Sequence, residues 1–225
     1  MLLIANWKQN FSWNEAEEWL QELSPRLKEK KELEIVICPP FPFLPLLSQW
    51  RNREKLNISL GAQDISPFPD GAHTGEVGWR QLSSWAQWVI IGHSERRQLG
   101  ENNEIITAKI KQALQGGLKI VLCLRSKEDW PALDWSLEKI KNRLFLAFEP
   151  EEAIGSGKPA SLESVNKFKE QIASTPVRDF PVLYGGSINA RTVTEFIKLS
   201  SLKGFLVGSA SWKAKEFKAL IDVLS

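Results

Sequence analysis

Short apolar runs alternate with amphipathic segments along the whole chain. Eight runs of four to six residues, most of them rich in Val, Ile, Leu and Phe, have the length and composition of buried strands. They lie near residues 2–5, 35–38, 58–62, 88–92, 119–124, 144–148, 181–184 and 204–207. Because helical patterns fill the intervals, the alternation predicts parallel strands joined by helical crossovers.

This number of units favours a closed (β/α)8 barrel of the α/β class. A chain of 225 residues is compatible with one such barrel, and no linker or low-complexity tract divides it, so we expect a single domain over residues 1–225. An open, doubly wound sheet stays possible at this point, because the number of strands does not show closure.

Local signals give some of the helix boundaries. Ser12 followed by Glu15 forms a capping box, and Asn189 and Ser211 are further candidate helix starts. The interval after the fifth strand is thin, because residues 127–131 contain a helix-breaking Pro and leave only a short helix at 134–142. We therefore expect a shortened crossover after strand five.

Composition and charge exclude several function classes. Hydrophobic residues make up 43% and charged residues 25%, an ordinary globular mixture. The 29 basic and 27 acidic residues give a net charge of +2 without a basic stripe, so nucleic acid is not an expected partner. No apolar stretch approaches the ~20 residues of a membrane helix, and Lys8 interrupts any signal peptide. Cys38 and Cys123 both lie in apolar runs, which predicts buried, reduced thiols and a cytoplasmic location.

Residues with useful chemistry follow three of the predicted strands. Asn6 and Lys8 follow the first, His93 the fourth and Glu149 the sixth. In a barrel, the carboxyl ends of parallel strands share one rim, where active sites lie. An ammonium, an imidazole and a carboxylate suit proton transfer on a small phosphorylated substrate. Each side chain alone would more often be an ordinary strand-end or core residue, so the indication lies in the combination.

Four motifs in order give a resemblance that covers essentially the whole chain. They are Asn6-Trp7-Lys8, Gly92-His93-Ser94-Glu95, the segment from Glu149-Pro150 to Gly157-Lys158, and Tyr184-Gly185-Gly186-Ser187. With them the chain resembles the triosephosphate isomerase family. The resemblance implies a TIM barrel, interconversion of dihydroxyacetone phosphate and D-glyceraldehyde 3-phosphate, and no cofactor or metal.

The resemblance also implies a role for each candidate residue. Glu149 would be the general base, and His93 would move a proton between two substrate oxygens in its neutral form, the established scheme for this family. The predicted helix start after His93 favours the neutral imidazole independently, through the positive end of the helix dipole. Lys8 and Asn6 would stabilise an enediolate, and Glu95 would hold Lys8 by an ion pair.

Glycine-bearing turns are the expected phosphate site. Backbone N–H groups at Gly155, Ser187, Gly208 and Ser209 can approach an anion closely, and the loops after strands seven and eight commonly bind phosphate in such barrels. The resemblance further implies a lid over residues 150–160 that excludes water. This segment does not match a P-loop, and the His and Cys positions suggest no metal set.

The longest irregular segment, residues 63–78, predicts an interface. Its Gly71-Ala72-His73-Thr74-Gly75 stretch resembles the family's interdigitating loop, in which Thr74 would reach the partner subunit near Lys8 and Asn6. The resemblance therefore implies a homodimer. His73, in the same loop, is interpreted as non-catalytic.

Two departures from the family pattern affect the lid. The chain has Glu151-Glu152 where most relatives have Val-Trp, and Arg125-Ser126 where they have Gly-Glu after one intervening residue. We hypothesise that Arg125 and Glu152 replace the relatives' contact in one lid state, through paired hydrogen bonds; two unrelated surface charges are an equally open alternative.

Two other functions compete with isomerisation. One is a catalytically weak barrel retained as a binding or interaction protein, which loss of Glu149, His93 or Lys8 would have favoured. The other is a phosphosugar barrel with different chemistry, which would leave the His93 and lid matches as coincidence. An assay of glyceraldehyde 3-phosphate conversion would discriminate among all three.

Overall fold

The structure is a computed structural model that describes residues 1–29, 32–131, 140–153 and 157–225. All of its strands pair in parallel and in chain order, and the last pairs with the first, so the sheet closes into a barrel. The strands are β1 (Leu2–Asn6), β2 (Glu34–Cys38), β3 (Ser59–Ala62), β4 (Trp88–Ile91), β5 (Lys119–Leu124), β6 (Leu144–Phe148), β7 (Val182–Tyr184) and β8 (Leu202–Val207). Closure confirms the (β/α)8 barrel and eliminates the open sheet.

Each strand contributes to two hydrophobic layers, because its side chains alternate between the barrel interior and the surrounding helices. In β1, Leu2 and Ile4 belong to the interior cluster, whereas Leu3 and Ala5 belong to the layer beneath the helices. Both sets are buried, which explains why the strands read as continuous apolar runs rather than as alternating ones.

Among the described residues, the α-helices vary widely in length. They are α1 (Trp13–Leu27), α2 (Leu44–Glu54), α3 (Trp79–Leu82), α4 (Ser94–Gln98), α5 (Asn103–Gln115), α6 (Leu162–Ala173), α7 (Val193–Phe196) and α8 (Ala214–Leu224). The described part of the crossover between β5 and β6 includes a 3-10 turn at Lys127–Asp129. The helix predicted at 134–142 lies mostly outside the described residues. No described helix is long and apolar enough to cross a membrane.

The predicted helix starts have different outcomes. The Ser12 capping box is confirmed: the Ser12 backbone N–H donates to Glu15 Oε2 at 2.7 Å, and the Glu15 N–H donates to Ser12 Oγ at 3.4 Å. Asn189 Oδ1 accepts two backbone N–H bonds in the turn that leads into α7. The start at Ser211 is wrong, because Ser211 Oγ donates to Gly208 O at 2.7 Å within a 3-10 turn, and α8 begins only at Ala214.

Candidate active site

Glu149 lies immediately beyond β6 and is 2% exposed. Its backbone N–H continues the sheet by donating to Leu124 O at 2.8 Å. Its carboxylate points into the barrel rim, where Oε2 accepts from the Ser94 backbone N–H at 2.9 Å and Oε1 lies 3.3 Å from His93 Nε2. The absence of a side chain at Gly185 gives it room, since a Cβ there would lie 2.9 Å from Glu149 Cγ.

His93 follows β4 and caps the amino end of α4. Its Nδ1 accepts a hydrogen bond from the Glu95 backbone N–H at 3.2 Å. A nitrogen that accepts such a bond carries no proton, so this contact assigns the ring proton to Nε2. The neutral imidazole therefore presents Nε2–H toward Glu149.

Lys8 supplies the positive charge at this rim. Its Nζ donates to Glu95 Oε1 at 2.6 Å, the ion pair that the family resemblance implies. Its backbone lies in the left-handed region, with φ of 52°, and its N–H donates to Asn6 Oδ1 at 3.1 Å. Gln63 follows β3 directly, and its Nε2 donates to Lys8 O at 2.9 Å, which fixes the turn after β1. Glu95 of α4 thus holds the ammonium, while Asn6 and Gln63 hold the Lys8 backbone.

These side chains line one cavity of about 300 Å³. Asn6, Lys8, His93 and Glu149 form part of its wall. Three of the expected phosphate-binding residues, Ser187, Gly208 and Ser209, line it as well. Gly155, the fourth, lies outside the described residues.

The segment predicted to be a lid is described at residues 150–153 and 157–160. Each of these two parts makes a hydrogen bond to β7 or to the turn after it. Ser187 Oγ donates to Ala153 O at 2.8 Å, and the Ala160 N–H donates to Tyr184 Oη at 2.7 Å. Burial raises the pKa of Tyr184 to about 12, so the phenol keeps its proton at neutral pH. The Tyr184 hydroxyl therefore anchors the loop as a neutral group.

Two cysteines lie inside the barrel. Cys38 and Cys123 are free and buried, as predicted. Burial raises the pKa of both thiols, and the charge of nearby Glu149 raises that of Cys123 further. Both thiols therefore stay protonated at neutral pH.

The structure pairs Arg125 with Glu151 rather than with Glu152. Arg125 Nη1 donates to Glu151 Oε1 at 3.1 Å, whereas Glu152 Oε1 accepts from Ser164 Oγ at 3.1 Å. Asp129 binds the Nε and Nη2 side of the same guanidinium at 2.8 Å, so Nη1 is the nitrogen left for the lid. This arrangement of the lid therefore does not contain the Arg125–Glu152 contact, which stays a prediction for another lid state.

The predicted interface loop lies on the surface. Thr74 is exposed, and the ring of His73 stacks on Phe68 with centroids 4.3 Å apart. His73 lines no part of the cavity that holds Glu149 and His93.

Sequence reasoning missed three groups that shape the site. The Ser94 N–H holds the Glu149 carboxylate, Gln63 braces the Lys8 turn, and Gly185 leaves space for Glu149. Ser94 and Gly185 lie in the quoted motifs, and that was the available signal. Gln63 lay unassigned at the start of the long loop.

Within the described ranges, no group of three or more His, Cys, Asp or Glu residues is placed to hold a metal ion.

Comparisons with known proteins all indicate one family. The family model described as triosephosphate isomerase matches residues 1–224. Curated proteins named triosephosphate isomerase from Dehalococcoides mccartyi and Hahella chejuensis are each 34% identical, over 98% of this chain and 94% and 97% of their own lengths. One from Clostridium tetani is 35% identical over 98% of this chain and 95% of its own length. This chain therefore belongs to the triosephosphate isomerase family.

Proposed function

We propose that this isomerase interconverts dihydroxyacetone phosphate and D-glyceraldehyde 3-phosphate through an enediolate, with Glu149 as the base. The observation that carries the proposal is the convergence of three groups on one cavity. Glu149 Oε1 lies 3.3 Å from His93 Nε2, and Lys8 lines the same wall. Membership of the family supports this substrate pair.

The chemistry divides between the carboxylate and the imidazole. Glu149 removes the proton on the carbon next to the carbonyl, and the electrons move onto the carbonyl oxygen. His93 donates its Nε2 proton to that oxygen and takes the proton of the neighbouring hydroxyl, which is the established scheme for the family. Glu149 then returns its proton to the adjacent carbon, so the atoms of substrate and product balance.

The charge that develops on the enediolate is stabilised by Lys8 and Asn6. Lys8 brings an ammonium to the cavity, and its ion pair with Glu95 restricts the orientation of the side chain. Because Lys8 is half-buried, its ammonium attracts the enediolate more strongly than it would in bulk water. The phosphate is proposed to bind backbone N–H groups at Ser187, Gly208 and Ser209, and at Gly155.

A rate assay combined with solvent exchange tests the base. Glu149→Gln keeps the size of the side chain and removes its basicity, so kcat should fall by about 10²–10⁴-fold. In D2O, the wild-type enzyme should place deuterium on the carbon that receives the proton, detected by NMR. Glu163→Gln, the same change at the exposed start of α6, is the control and should leave both readouts unchanged.

Two outcomes would contradict the proposal. A wild-type protein that binds inorganic phosphate but converts neither triose phosphate would indicate a binding protein or a different chemistry. Near wild-type kcat for Glu149→Gln would remove Glu149 as the base. Inorganic phosphate should inhibit the wild type and Glu149→Gln with a similar Ki, because the anion site does not involve the carboxylate.

We also propose that the enzyme is a homodimer joined through residues 63–78. Leu99 is 76% exposed and Phe68 is 45% exposed, and both line a cavity of about 740 Å³. Exposed apolar side chains beside a cavity of this size fit the contact of a second copy.

Light scattering with activity measurement tests the dimer. Wild-type protein should have the mass of two chains, and deletion of residues 68–76 should give a monomer of low activity, since Thr74 is proposed to reach the partner's site. A fully active wild-type monomer at low concentration would refute the dimer.

The free, buried thiols support a cytoplasmic location, and the closed barrel supports a single domain over residues 1–225.

A further inference from the structure

One residue, Asp129, links the two segments that carry the reacting groups, through its carboxylate and its backbone carbonyl. Asp129 Oδ2 accepts from Arg125 Nε and from the Arg125 backbone N–H, at 2.8 and 2.9 Å, and Oδ1 accepts from Arg125 Nη2 at 2.8 Å. This bidentate geometry fixes the plane of the guanidinium. The remaining nitrogen, Nη1, bonds Glu151 at 3.1 Å, and Glu151 is separated from Glu149 by Pro150 alone.

The second link runs to the turn that carries His93. Asp129 O accepts from Arg97 Nη2 at 3.0 Å, and its Oδ1 lies 3.6 Å from Arg97 Nη1. Arg97 Nε donates to the carbonyl of Gly92 at 3.0 Å. Gly92 precedes His93 directly and has a φ of 70°, and because glycine is conformationally free, the bond from Arg97 helps to fix its backbone.

We propose that Asp129 is a positioning residue for catalysis, which orients the His93 turn through Arg97 and the Glu149 segment through Arg125 and Glu151. The inference rests on the proposed function, since it concerns the same two reacting groups. Asp129 does not line the cavity, so its effect is on the distance and angle between base and imidazole. Reactions of this kind are sensitive to such changes, because a misplacement of about 1 Å can lower the rate by about 10²-fold.

The link has a buried arm, the contact between Arg97 and Asp129, and an exposed arm, the contact between Arg125 and Glu151. These two arms differ in strength. Arg97 and Asp129 are both nearly buried, so their contact is protected from solvent. The Arg125 to Glu151 contact lies at the surface, where Glu151 is 72% exposed on its side chain. Pairs of that kind contribute little and are screened by salt. We therefore expect a large effect from Asp129 and a small one from Arg125 or Glu151.

The first test is a double-mutant cycle on the exposed arm, measured at low ionic strength. Arg125→Ala and Glu151→Ala should each lower kcat about two- to fivefold, and the double variant should be no slower than the slower single variant. KM and the Ki for inorganic phosphate should not change. Glu128→Gln is the matched control, since it removes a nearby carboxylate outside this link, and it should keep the wild-type kcat.

The second test addresses the buried end. Asp129→Asn should lower kcat about tenfold with KM unchanged, because the neutral amide loses the paired hydrogen bonds to Arg125 and the charge beside Arg97, although the bond from Arg97 to Asp129 O remains. Arg125→Lys keeps the positive charge but removes the planar guanidinium that makes the paired hydrogen bonds, so it should behave like Arg125→Ala. A thermal unfolding midpoint close to that of the wild type separates positioning from loss of fold.

The outcomes are distinguishable. Additive effects in the Arg125 and Glu151 cycle, or unchanged kcat in all three variants, would overturn the inference while the isomerase activity of the wild type stands. A parallel fall of kcat, phosphate affinity and melting temperature in Asp129→Asn would also overturn it, as a purely structural role. If Asp129→Asn does not fold, the exposed cycle alone decides. A wild type without isomerase activity would instead refute the proposed function.

Discussion

Gly185→Ala should displace the proposed base without altering any polar group. An added Cβ would lie 2.9 Å from Glu149 Cγ and 3.2 Å from Phe148 O. Carbon atoms in contact prefer about 3.5–4.0 Å, so the Glu149 side chain must move by roughly 0.6–1 Å. The backbone oxygen cannot yield on the other side, because Phe148 O accepts from the Gly185 N–H at 2.7 Å. A displacement of that size should lower kcat about 10- to 100-fold.

Steady-state kinetics in two backgrounds test this reasoning. In the wild-type background, kcat should fall while the Ki for inorganic phosphate stays within about twofold, as the anion site is proposed to use other residues. In the Glu149→Gln background, Gly185→Ala should have little further effect, because the group it displaces no longer acts as a base. A folded Gly185→Ala enzyme with kcat within twofold of the wild type would refute the steric argument. An equal loss in both backgrounds would place the effect elsewhere.

Two predictions concern stability. Lys55, the C-cap of α2, has φ of 53°. Lys55→Gly should therefore raise the free energy of unfolding by about 0.5–1 kcal/mol in urea titrations. Ser174 has an ordinary φ of −91°, so Ser174→Gly should lower the free energy of unfolding. Burial would raise the pKa of Asp129, but hydrogen bonds from Arg125 and the charges of Arg97 and Arg125 hold that pKa below its ordinary value. This stabilisation is complete above the unfolded pKa of about 3.9 and is lost as pH falls through the lower folded value, so Asp129→Asn should flatten that part of the acid unfolding curve.

The barrel was predictable because its strands are buried on both faces. β5, for example, occupies residues 119–124, the range given by its apolar run. Site residues followed from the same rule, since the polar residue after a strand falls at the carboxyl rim. Lys8, His93 and Glu149 meet there although they are far apart in the chain.

Side-chain pairing was less predictable. The sequence places Glu151 and Glu152 side by side, and either could meet Arg125. The choice depends on Asp129, which fixes the guanidinium plane from a short turn that no pattern indicated. Contacts of backbone donors such as the Ser94 N–H are equally invisible in a sequence, because every residue except proline carries the same group.

A last prediction concerns strain beside the site. Phe11 has φ of 72°, and the segment that begins at Lys8, φ of 52°, therefore contains two non-glycine residues in the left-handed region. An aromatic residue adopts this conformation at a cost of about 1–2 kcal/mol. The ring of Phe11 packs on Trp7 with centroids 4.6 Å apart, and this packing offsets part of the strain.

Comparison of Phe11→Ala with Phe11→Gly separates strain from packing, because both variants lose the ring and only glycine relieves the backbone. At an ordinary position the alanine variant would be more stable by about 0.4–1 kcal/mol, through the lower entropy of its unfolded chain. At Phe11 the relief of about 1–2 kcal/mol exceeds that difference, so the glycine variant should be the more stable one in urea titrations. The same pair at Ser174 should show the opposite order. An alanine variant more stable than the glycine variant by about 0.4–1 kcal/mol at position 11 would mean that the left-handed turn beside Lys8 stores no strain, and that ring packing alone sets the conformation of this segment.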